Sequence, residues 1–249
     1  MPEPANIKVY FVADTHFGAP PDSAAREADF VRWLDMVKAD ATHLFLLGDI
    51  FDFWFSYKYV VPRGFVRVLG KLAELADSGV EIHFFTGNHD MWVFDYPEKE
   101  LGIKTHTQPT EFEIEGKRFL VGHGDGLTSI NRSYNALKSV FASRLCQRAF
   151  AALHPWAGFT IATKWSRSSR RKGKKNNKKQ CRPNEVPVFC KAKLAEKPYD
   201  YFVFGHRHRI ENETVGNGAQ YYVIGEWIEQ RNYAVFSNGK MEIHNFANN

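Results

Sequence analysis

The stretch EIHFFTGNHD, residues 81–90, joins a short apolar run to a cluster of polar side chains. The run has the length of a buried β-strand, and Asn88, His89 and Asp90 follow Gly87 at its end. Gly and Asn both tolerate turn geometry, so an ordinary turn explains these two without any chemistry. What stands at the ends of the other strands decides whether the histidine and the aspartate have a chemical role.

Apolar runs alternate with amphipathic segments through the first half of the chain. The runs 7–14 and 43–49 have the same character as residues 81–90. The segments 27–40 and 66–79 carry apolar residues at helical spacing. Strands that alternate with helices predict βαβ units and a largely parallel sheet.

Strand-like runs separated by tight turns follow in the second half. The stretch 110–125 predicts a hairpin that turns at Glu115 and Gly116. Further runs with strand character lie at 199–208, 219–227, 232–240 and 241–246.

The totals are those of a globular chain. A length of 249 residues with 44% hydrophobic content allows one large domain, or a core with an insertion. The three cysteines lack CxxC spacing, so they form neither a disulfide framework nor a thiolate metal site, which fits a reducing compartment. Neither a signal peptide nor an apolar run of about 18 residues is visible. We therefore expect a soluble, cytoplasmic protein.

The net charge of +5 hides a sharp division between two parts of the chain. Residues 126–184 hold 14 Lys and Arg and no acid, whereas the rest holds 19 bases and 28 acids. Such a basic segment indicates an anionic partner, either a membrane surface or a nucleic acid. A solvated basic face is the alternative, although such faces normally mix both signs. The stretch RRKGKKNNKK, 170–179, has a composition typical of a mobile segment.

Five strand-like runs end in residues that can bind a metal. In chain order these residues are Asp14, His16, Asp49, Asp52, Asn88, His89, Asp90, His123, Asp125, His206 and His208. Each motif alone has a bland explanation as turn chemistry. In open α/β sheets, however, ligands bind outside the carboxyl ends of the strands, so five such tips should meet in one crevice.

The residue types limit the metal. Oxygen and imidazole donors without thiolate suit Mn, Fe or Zn better than an all-oxygen Mg or Ca cage. There are too many donors for one ion. An aspartate that bridges two cations about 3.5–4 Å apart uses them all.

At these residues the chain resembles the calcineurin-like metallophosphoesterase superfamily, whose pattern is DxH, GD, GN[HD], H and GHxH. The resemblance implies a four-layer α/β sandwich, in which two mixed β-sheets are flanked by helices. Residues 1–126 and 185–249 would form this core, and residues 127–184 an inserted basic helical cap. The resemblance also implies two divalent cations, Mn²⁺ being the expected one. One would be held by Asp14, His16, Asp49 and His208, and the other by Asp49, Asn88, His123 and His206.

Other roles follow from the same resemblance. His89 and the bridging Asp49 would be catalytic, with His89 beside the leaving group. We expect Asp52 and Asp90 to support the ligands by hydrogen bonds, because metal-bound imidazoles need an outer partner.

A finer resemblance is to the family of UDP-2,3-diacylglucosamine diphosphatases. It rests on GDIFDFWF, residues 48–55, and on HGDGLTSINRSYNALKSVF, residues 123–141. Members cleave the pyrophosphate of this nucleotide-sugar lipid to UMP and 2,3-diacylglucosamine 1-phosphate in lipid A biosynthesis. They act on the cytoplasmic face of the inner membrane. The residues then expected to bind substrate are Asn88, His89, Asp125, Arg132, Lys164 and Arg167. The better-known branch has Arg in place of His89 and often Glu in place of Asp52.

The insert has an amphipathic pattern. Apolar residues recur every three to five positions over 134–153, with basic residues between them, and a second apolar helical stretch covers 156–165. Basic amphipathic helices with aromatic residues suit an anionic membrane interface. A groove between cap and core could hold acyl chains. The alternative is that these residues form the cap's own interior.

Three rival functions remain. A basic cap also suits a nuclease, but the aliphatic spacing argues against nucleic acid as a partner. A phosphomonoesterase or cyclic nucleotide phosphodiesterase would have little use for a lipophilic cap. A scaffold without metals would not need the complete ligand set.

Overall fold

The computed structural model describes residues 7–177 and 184–246, excluding the side chains of residue 167 and residues 169–177. The strands are β1 (Lys8–Val12), β2 (His43–Leu46), β3 (Glu81–Phe85), β4 (Lys104–His106), β5 (Thr110–Ile114), β6 (Lys117–Val121), β7 (Tyr201–Phe204), β8 (Ile210–Val215), β9 (Ala219–Ile224), β10 (Asn232–Ser237) and β11 (Lys240–Asn245). The helices are α1 (Ser23–Lys38), α2 (Val66–Asp77), α3 (Tyr96–Leu101), α4 (Arg132–Ala142), α5 (Arg144–Ala151), α6 (Pro155–Asn177) and α7 (Glu185–Glu196).

The strands form two mixed sheets. The first has the order β11-β10-β1-β2-β3-β4. Strands β1 to β4 are parallel to one another, β10 is antiparallel to β1, and β11 is antiparallel to β10. The second has the order β5-β6-β7-β9-β8, with a parallel centre and an antiparallel strand at each edge. The prediction of two mixed sheets flanked by helices is confirmed. The hairpin of β5 and β6 also turns at Glu115 and Gly116, as expected.

Alternation along β1 explains why the first sheet is covered on both faces. Val9 and Phe11 point between the two sheets, whereas Tyr10 and Val12 point to the opposite face. Successive side chains of a strand point to opposite faces, and here both sets are apolar. The outer set packs on α1, where Trp33 is fully buried.

The second sheet is built in the same way. Phe119 of β6 faces the first sheet, while its neighbour Leu120 packs on the outer side with Phe202. Val186 and Cys190 of α7 cover that outer side. The order of layers is therefore helices, sheet, sheet and helix.

Some local structure differs from the sequence prediction. Strands β4 and β8 were not predicted. The continuous helical pattern over 134–153 is divided between α4 and α5, because Ser143 has extended backbone (φ −70°, ψ 136°). Its hydroxyl accepts a hydrogen bond from the Cys146 N–H at 3.3 Å, a common way to begin a helix. Helix α6 includes residues 170–177 of the basic stretch, and residues 178 and 179 lie outside the described residues.

Aromatic contacts join α4, α5 and α6 to the loops that follow β2 and β3. The Trp92 indole N–H donates to the carbonyl of Phe141 in α4 at 2.9 Å. The ring of Phe150 in α5 lies 4.8 Å from the rings of both Phe55 and Trp92. The ring of Phe159 in α6 lies 5.1 Å from that of Phe53. These contacts hold the three helices against the ends of the strands that carry the polar motifs. Within residues 7–177 and 184–246, no helix combines the length and apolar character needed to cross a bilayer.

Candidate metal centre

A first group of three side chains comes from the ends of β1 and β7. The His208 Nε2 atom lies 3.3 Å from Asp14 Oδ1 and 3.2 Å from His16 Nε2. The His16 Nε2 atom lies 3.8 Å from Asp14 Oδ1. One carboxylate and two imidazoles thus converge at a spacing that could hold a metal ion.

A second group joins the ends of β2, β6 and β7. The His123 Nε2 atom lies 3.5 Å from Asp49 Oδ2 and 3.2 Å from His206 Nδ1. These three residues also form a group that could hold a metal ion. Asp49 and His123 are buried, and the His206 backbone N–H donates to Asp14 of the first group at 2.7 Å.

Asp49 connects the two groups. Its Oδ2 atom lies 3.7 Å from His16 Nε2 in the first group and 3.5 Å from His123 Nε2 in the second. Gly87 makes this approach possible, since a Cβ atom there would collide with the Asp49 carboxylate. Asp49 therefore lies between the two groups, and its role as a bridging metal ligand stays a prediction.

Two buried oxygen atoms without hydrogen-bond partners in the described part of the chain indicate whether cations fit between the two groups. The Oδ1 atoms of Asn88 and Asp14 are buried, and neither has a hydrogen-bond partner among the described residues. Leaving a buried polar atom without a partner costs about 1–3 kcal/mol, more for a charged group. Coordination of a cation would relieve that cost, so the residues present fit a metal site.

Backbone carbonyls fix the orientation of two of the rings. The His123 Nδ1–H donates to the Leu47 carbonyl at 2.7 Å, because a carbonyl oxygen can only accept. The two groups, together with Asn88, are called the metal cluster below. His123 therefore presents Nε2 to this cluster, as ring ligands with an outer partner do. In the same way the His89 Nδ1–H donates to the carbonyl of Asp52 at 2.9 Å, which leaves Nε2 of His89 free.

Burial and mutual charge set the protonation of the cluster. Burial lowers the pKa of His206 to about 4, and the neighbouring His123 adds to this. Burial would also lower the pKa of His123, but the Asp49 charge outweighs it and raises that pKa to about 10. Burial alone would raise the pKa of Asp14, yet the facing His208 holds it below its ordinary value. A cation that binds His123 must displace its proton.

A comparison of the chain with models of known protein families gives a match. The model of the calcineurin-like phosphoesterases matches residues 7–209, which include all five strand ends. The chain belongs to this family.

Curated relatives of this phosphoesterase share one description. A UDP-2,3-diacylglucosamine hydrolase of Porphyromonas gingivalis is 39% identical over 92% of this chain and 94% of its own length. Proteins of the same description from Aeromonas salmonicida and Proteus mirabilis are each 28% identical over 95% of this chain. They match over 92% and 98% of their own lengths, respectively. The resemblance found in the sequence to this superfamily is confirmed.

Asp90 joins the loops after β2 and β3 of the phosphoesterase. Its carboxylate accepts short hydrogen bonds from the backbone N–H groups of Gly87 (2.7 Å) and Ile50 (2.8 Å). Longer ones, each of 3.3 Å, come from Asp49 and Phe51. Asp90 therefore fixes the backbone beneath Asp49 rather than contacting an imidazole.

Asp52 and a residue that the sequence did not single out meet at the edge of the cluster. The Asp52 Oδ1 atom lies 3.6 Å from His16 Nδ1 and 3.7 Å from His89 Nδ1, and these three form another potential metal group. The hydroxyl of Ser166, on α6, donates to Asp52 Oδ1 at 3.0 Å and lies 3.4 Å from His89 Nδ1. No local signal could have identified Ser166, because it stands 114 residues from Asp52.

The other residues expected to bind substrate are Asp125, Arg132, Lys164 and Arg167, and they differ in how exposed they are. Asp125 accepts from the Tyr134 hydroxyl at 2.7 Å and pairs with Lys138 Nζ at 2.8 Å, so its carboxylate already has two partners on α4. Arg132 on α4 and Lys164 on α6 are exposed. Arg167 lies on the same helix, but its side chain is outside the described residues.

An apolar cavity of about 380 Å³ lies between α6 and the loop after β2. Phe17, Phe53, Val61, Trp156 and Phe159 line it, and so does Asp52 at the edge of the cluster. A volume above roughly 300 Å³ is in the range of ligand-binding sites.

Proposed function

We propose that this phosphoesterase is a dinuclear-metal hydrolase that cleaves the pyrophosphate bond of UDP-2,3-diacylglucosamine. The products would be UMP and 2,3-diacylglucosamine 1-phosphate. The observation that carries the proposal is the position of the apolar cavity, which is lined by Asp52 at the edge of the metal cluster. An enzyme for a lipid pyrophosphate needs this pairing of an apolar cavity with a polar reaction centre. The description of the relatives supports the same substrate.

Seven residues would hold the cations. One set is Asp14, His16, Asp49 and His208, the other is Asp49, Asn88, His123 and His206, and Asp49 is shared. The absence of thiolate donors favours Mn²⁺ over softer metals. When bound, two such cations lower the pKa of water towards neutrality and offset the negative charge of a pyrophosphate.

The protein side chains orient these groups and the substrate. The Asp49 Oδ1 atom accepts from the His89 backbone N–H at 2.8 Å, so His89 is positioned relative to the bridging carboxylate. With Nδ1–H bound to the Asp52 carbonyl, Nε2 is the ring atom that can face the leaving phosphate. Burial lowers the pKa of His89 to about 4, so the ring is neutral until a phosphate approaches, and Nε2 donates to that phosphate only once the ring has taken up a second proton. A phosphate is already a good leaving group, so we place the protonated His89 there to bind it and to offset charge more than to protonate it.

The cap would provide the surface that binds the membrane. We propose that residues 127–184 form the cap and that it binds anionic lipid on the cytoplasmic face of the inner membrane. Leu145 and Trp156 are 80% and 74% exposed; Arg144 and Arg148 flank Leu145, and Lys164 lies on the same helix as Trp156. Exposed apolar residues beside Lys and Arg are typical of interfacial helices. We expect Trp156→Glu to reduce binding to anionic vesicles in a sedimentation assay, and Val66→Glu, on the exposed part of α2, to leave it unchanged. Equal binding by both variants would contradict this role.

The direct test measures UMP release from UDP-2,3-diacylglucosamine in the presence of Mn²⁺. A UDP-sugar without acyl chains and single-stranded DNA serve as parallel substrates. Release of UMP from the acylated substrate alone supports both the chemistry and the lipid role. Cleavage of the unacylated sugar at the same rate removes the cavity from the proposal. Degradation of DNA without UMP release would favour the nuclease.

A further inference from the structure

A second, smaller cavity opens at the other end of the metal cluster. It has a volume of about 110 Å³ and lies between the segment after β4 and the loop after β6. His106, Thr107, Gln108 and Pro109 form one wall of it. The opposite wall includes His123 and Asp125, together with Lys138 of α4 and Phe189 of α7.

The two cavities border different ends of the same series of side chains. Asp52 lies 3.6 Å from His16, His16 lies 3.7 Å from Asp49, and Asp49 lies 3.5 Å from His123. The apolar cavity is lined by Asp52, the first member, and the small cavity by His123, the last. A substrate whose reacting group lies on the cluster would then extend towards Asp52 with one substituent and towards His123 with the other.

We propose that the small cavity binds the nucleoside of the substrate, on the side opposite the lipid. The inference rests on the proposed function and adds to it the position of the base. The cavity is far below the roughly 300 Å³ of a site for a whole drug-sized ligand, so it suits one part of a larger molecule. An acyl chain has no reason to enter it, because polar groups line it.

The chemistry of the walls matches a pyrimidine nucleotide. Uracil presents carbonyl acceptors and an N–H donor along one edge. The exposed amide of Gln108 and the hydroxyl of Thr107 offer donors and an acceptor for that edge. The ring of Phe189 supplies a flat apolar surface, on which a base can stack. Lys138 is 29% exposed at this cavity and adds positive charge near the phosphate end.

The test compares the binding of UMP with that of ribose 5-phosphate, which lacks the base. Titration calorimetry on the Mn²⁺-loaded full chain gives both dissociation constants. We expect wild type to bind UMP more tightly. Thr107→Trp, which fills the cavity from an exposed position, should weaken UMP at least tenfold and abolish the difference. Gln108→Ala should weaken UMP about threefold to tenfold, the usual effect of one lost hydrogen bond. Gln147→Ala on α5, outside the cavity, is the matched control and should change nothing.

Turnover of bis(p-nitrophenyl) phosphate, which has no base, checks that the reaction centre of each variant is intact. The inference is overturned if UMP binds both cavity variants within twofold of wild type while this turnover persists. It is also overturned if wild type binds UMP no better than ribose 5-phosphate. If UDP-2,3-diacylglucosamine is not cleaved but the cavity variants still bind UMP more weakly than wild type, the proposed substrate is wrong and the assignment of the nucleotide cavity is supported.

Discussion

Left-handed backbone at the metal cluster leads to a prediction about stability. Five of the proposed ligands have positive φ without being glycine, namely Asp14 (53°), His16 (44°), Asp49 (51°), His206 (66°) and His208 (51°). For a residue with a Cβ atom this conformation costs about 1–2 kcal/mol. Such strain persists only where the surrounding structure fixes it, as it does at many functional sites. In the apo protein, glycine should therefore compare more favourably with alanine at one of these positions than at a position with ordinary backbone.

His208 allows this to be measured with a control next to it. Its side chain is 37% exposed, so its removal leaves no large cavity. We compare His208→Gly with His208→Ala, because both lose the imidazole and its contact with Asp14. Arg209 is exposed and is not among the described residues with positive φ, so Arg209→Gly and Arg209→Ala form the matched pair.

The expected magnitude follows from two opposing effects. At Arg209, glycine should be less stable than alanine by roughly 0.5–1 kcal/mol, because it loses more chain entropy on folding. At His208 the relief of about 1–2 kcal/mol should cancel or exceed that loss. The difference between the two pairs is then about 1–2 kcal/mol, or about 2–8 °C in Tm for a chain of this size. Thermal and urea unfolding in EDTA measure it. If glycine is less stable than alanine by the same amount at both positions, the strain argument is refuted.

Three more perturbations test other parts of the site and core. His89→Arg should keep most of the rate of UMP release, because either cation-capable side chain can offset charge on a phosphate; a collapse as deep as that of a lost ligand would contradict this. Ser166→Ala should reduce kcat/KM about threefold to tenfold by removing the hydrogen bond to the carboxylate beside His89, with Ser168→Ala as the unaffected control. Burial lowers the pKa of His83 to about 4, below the unfolded value of about 6.5, so its contribution to stability is complete above pH 6.5 and is lost as the pH falls towards 4. His83→Phe should therefore reduce the loss of unfolding free energy between pH 7.5 and pH 5 by about 2 kcal/mol in urea titrations, and an unchanged pH dependence would show that another group is responsible.

Local spacing was enough to predict alternating strands and helices and the strand ends that carry the polar motifs, whereas the sandwich of two mixed sheets was predicted from the family resemblance. Neighbouring parallel strands deliver their carboxyl ends to one edge, so Asp14 after β1 and Asp49 after β2 could be expected to meet. His123 follows β6 of the other sheet, so its position also depends on how the two sheets pack. The division at Ser143 could not be predicted from apolar spacing, because both halves keep the same period. The contact of Ser166 depends on how a whole helix docks on the core, and no local pattern encodes that.

The docking of α4 and α6 has a chemical consequence. Both helices contact loops that carry proposed ligands. Lys138 binds Asp125, two residues after His123, and Ser166 binds Asp52, three residues after Asp49. A lipid that enters the cavity beneath α6 therefore contacts a helix that is hydrogen-bonded, through Ser166, to the loop that carries Asp49. Interactions far from the reacting bond can raise kcat only if they position the reacting group. Under the proposed function, these two bonds are a physical route by which acyl chains could position the reacting group.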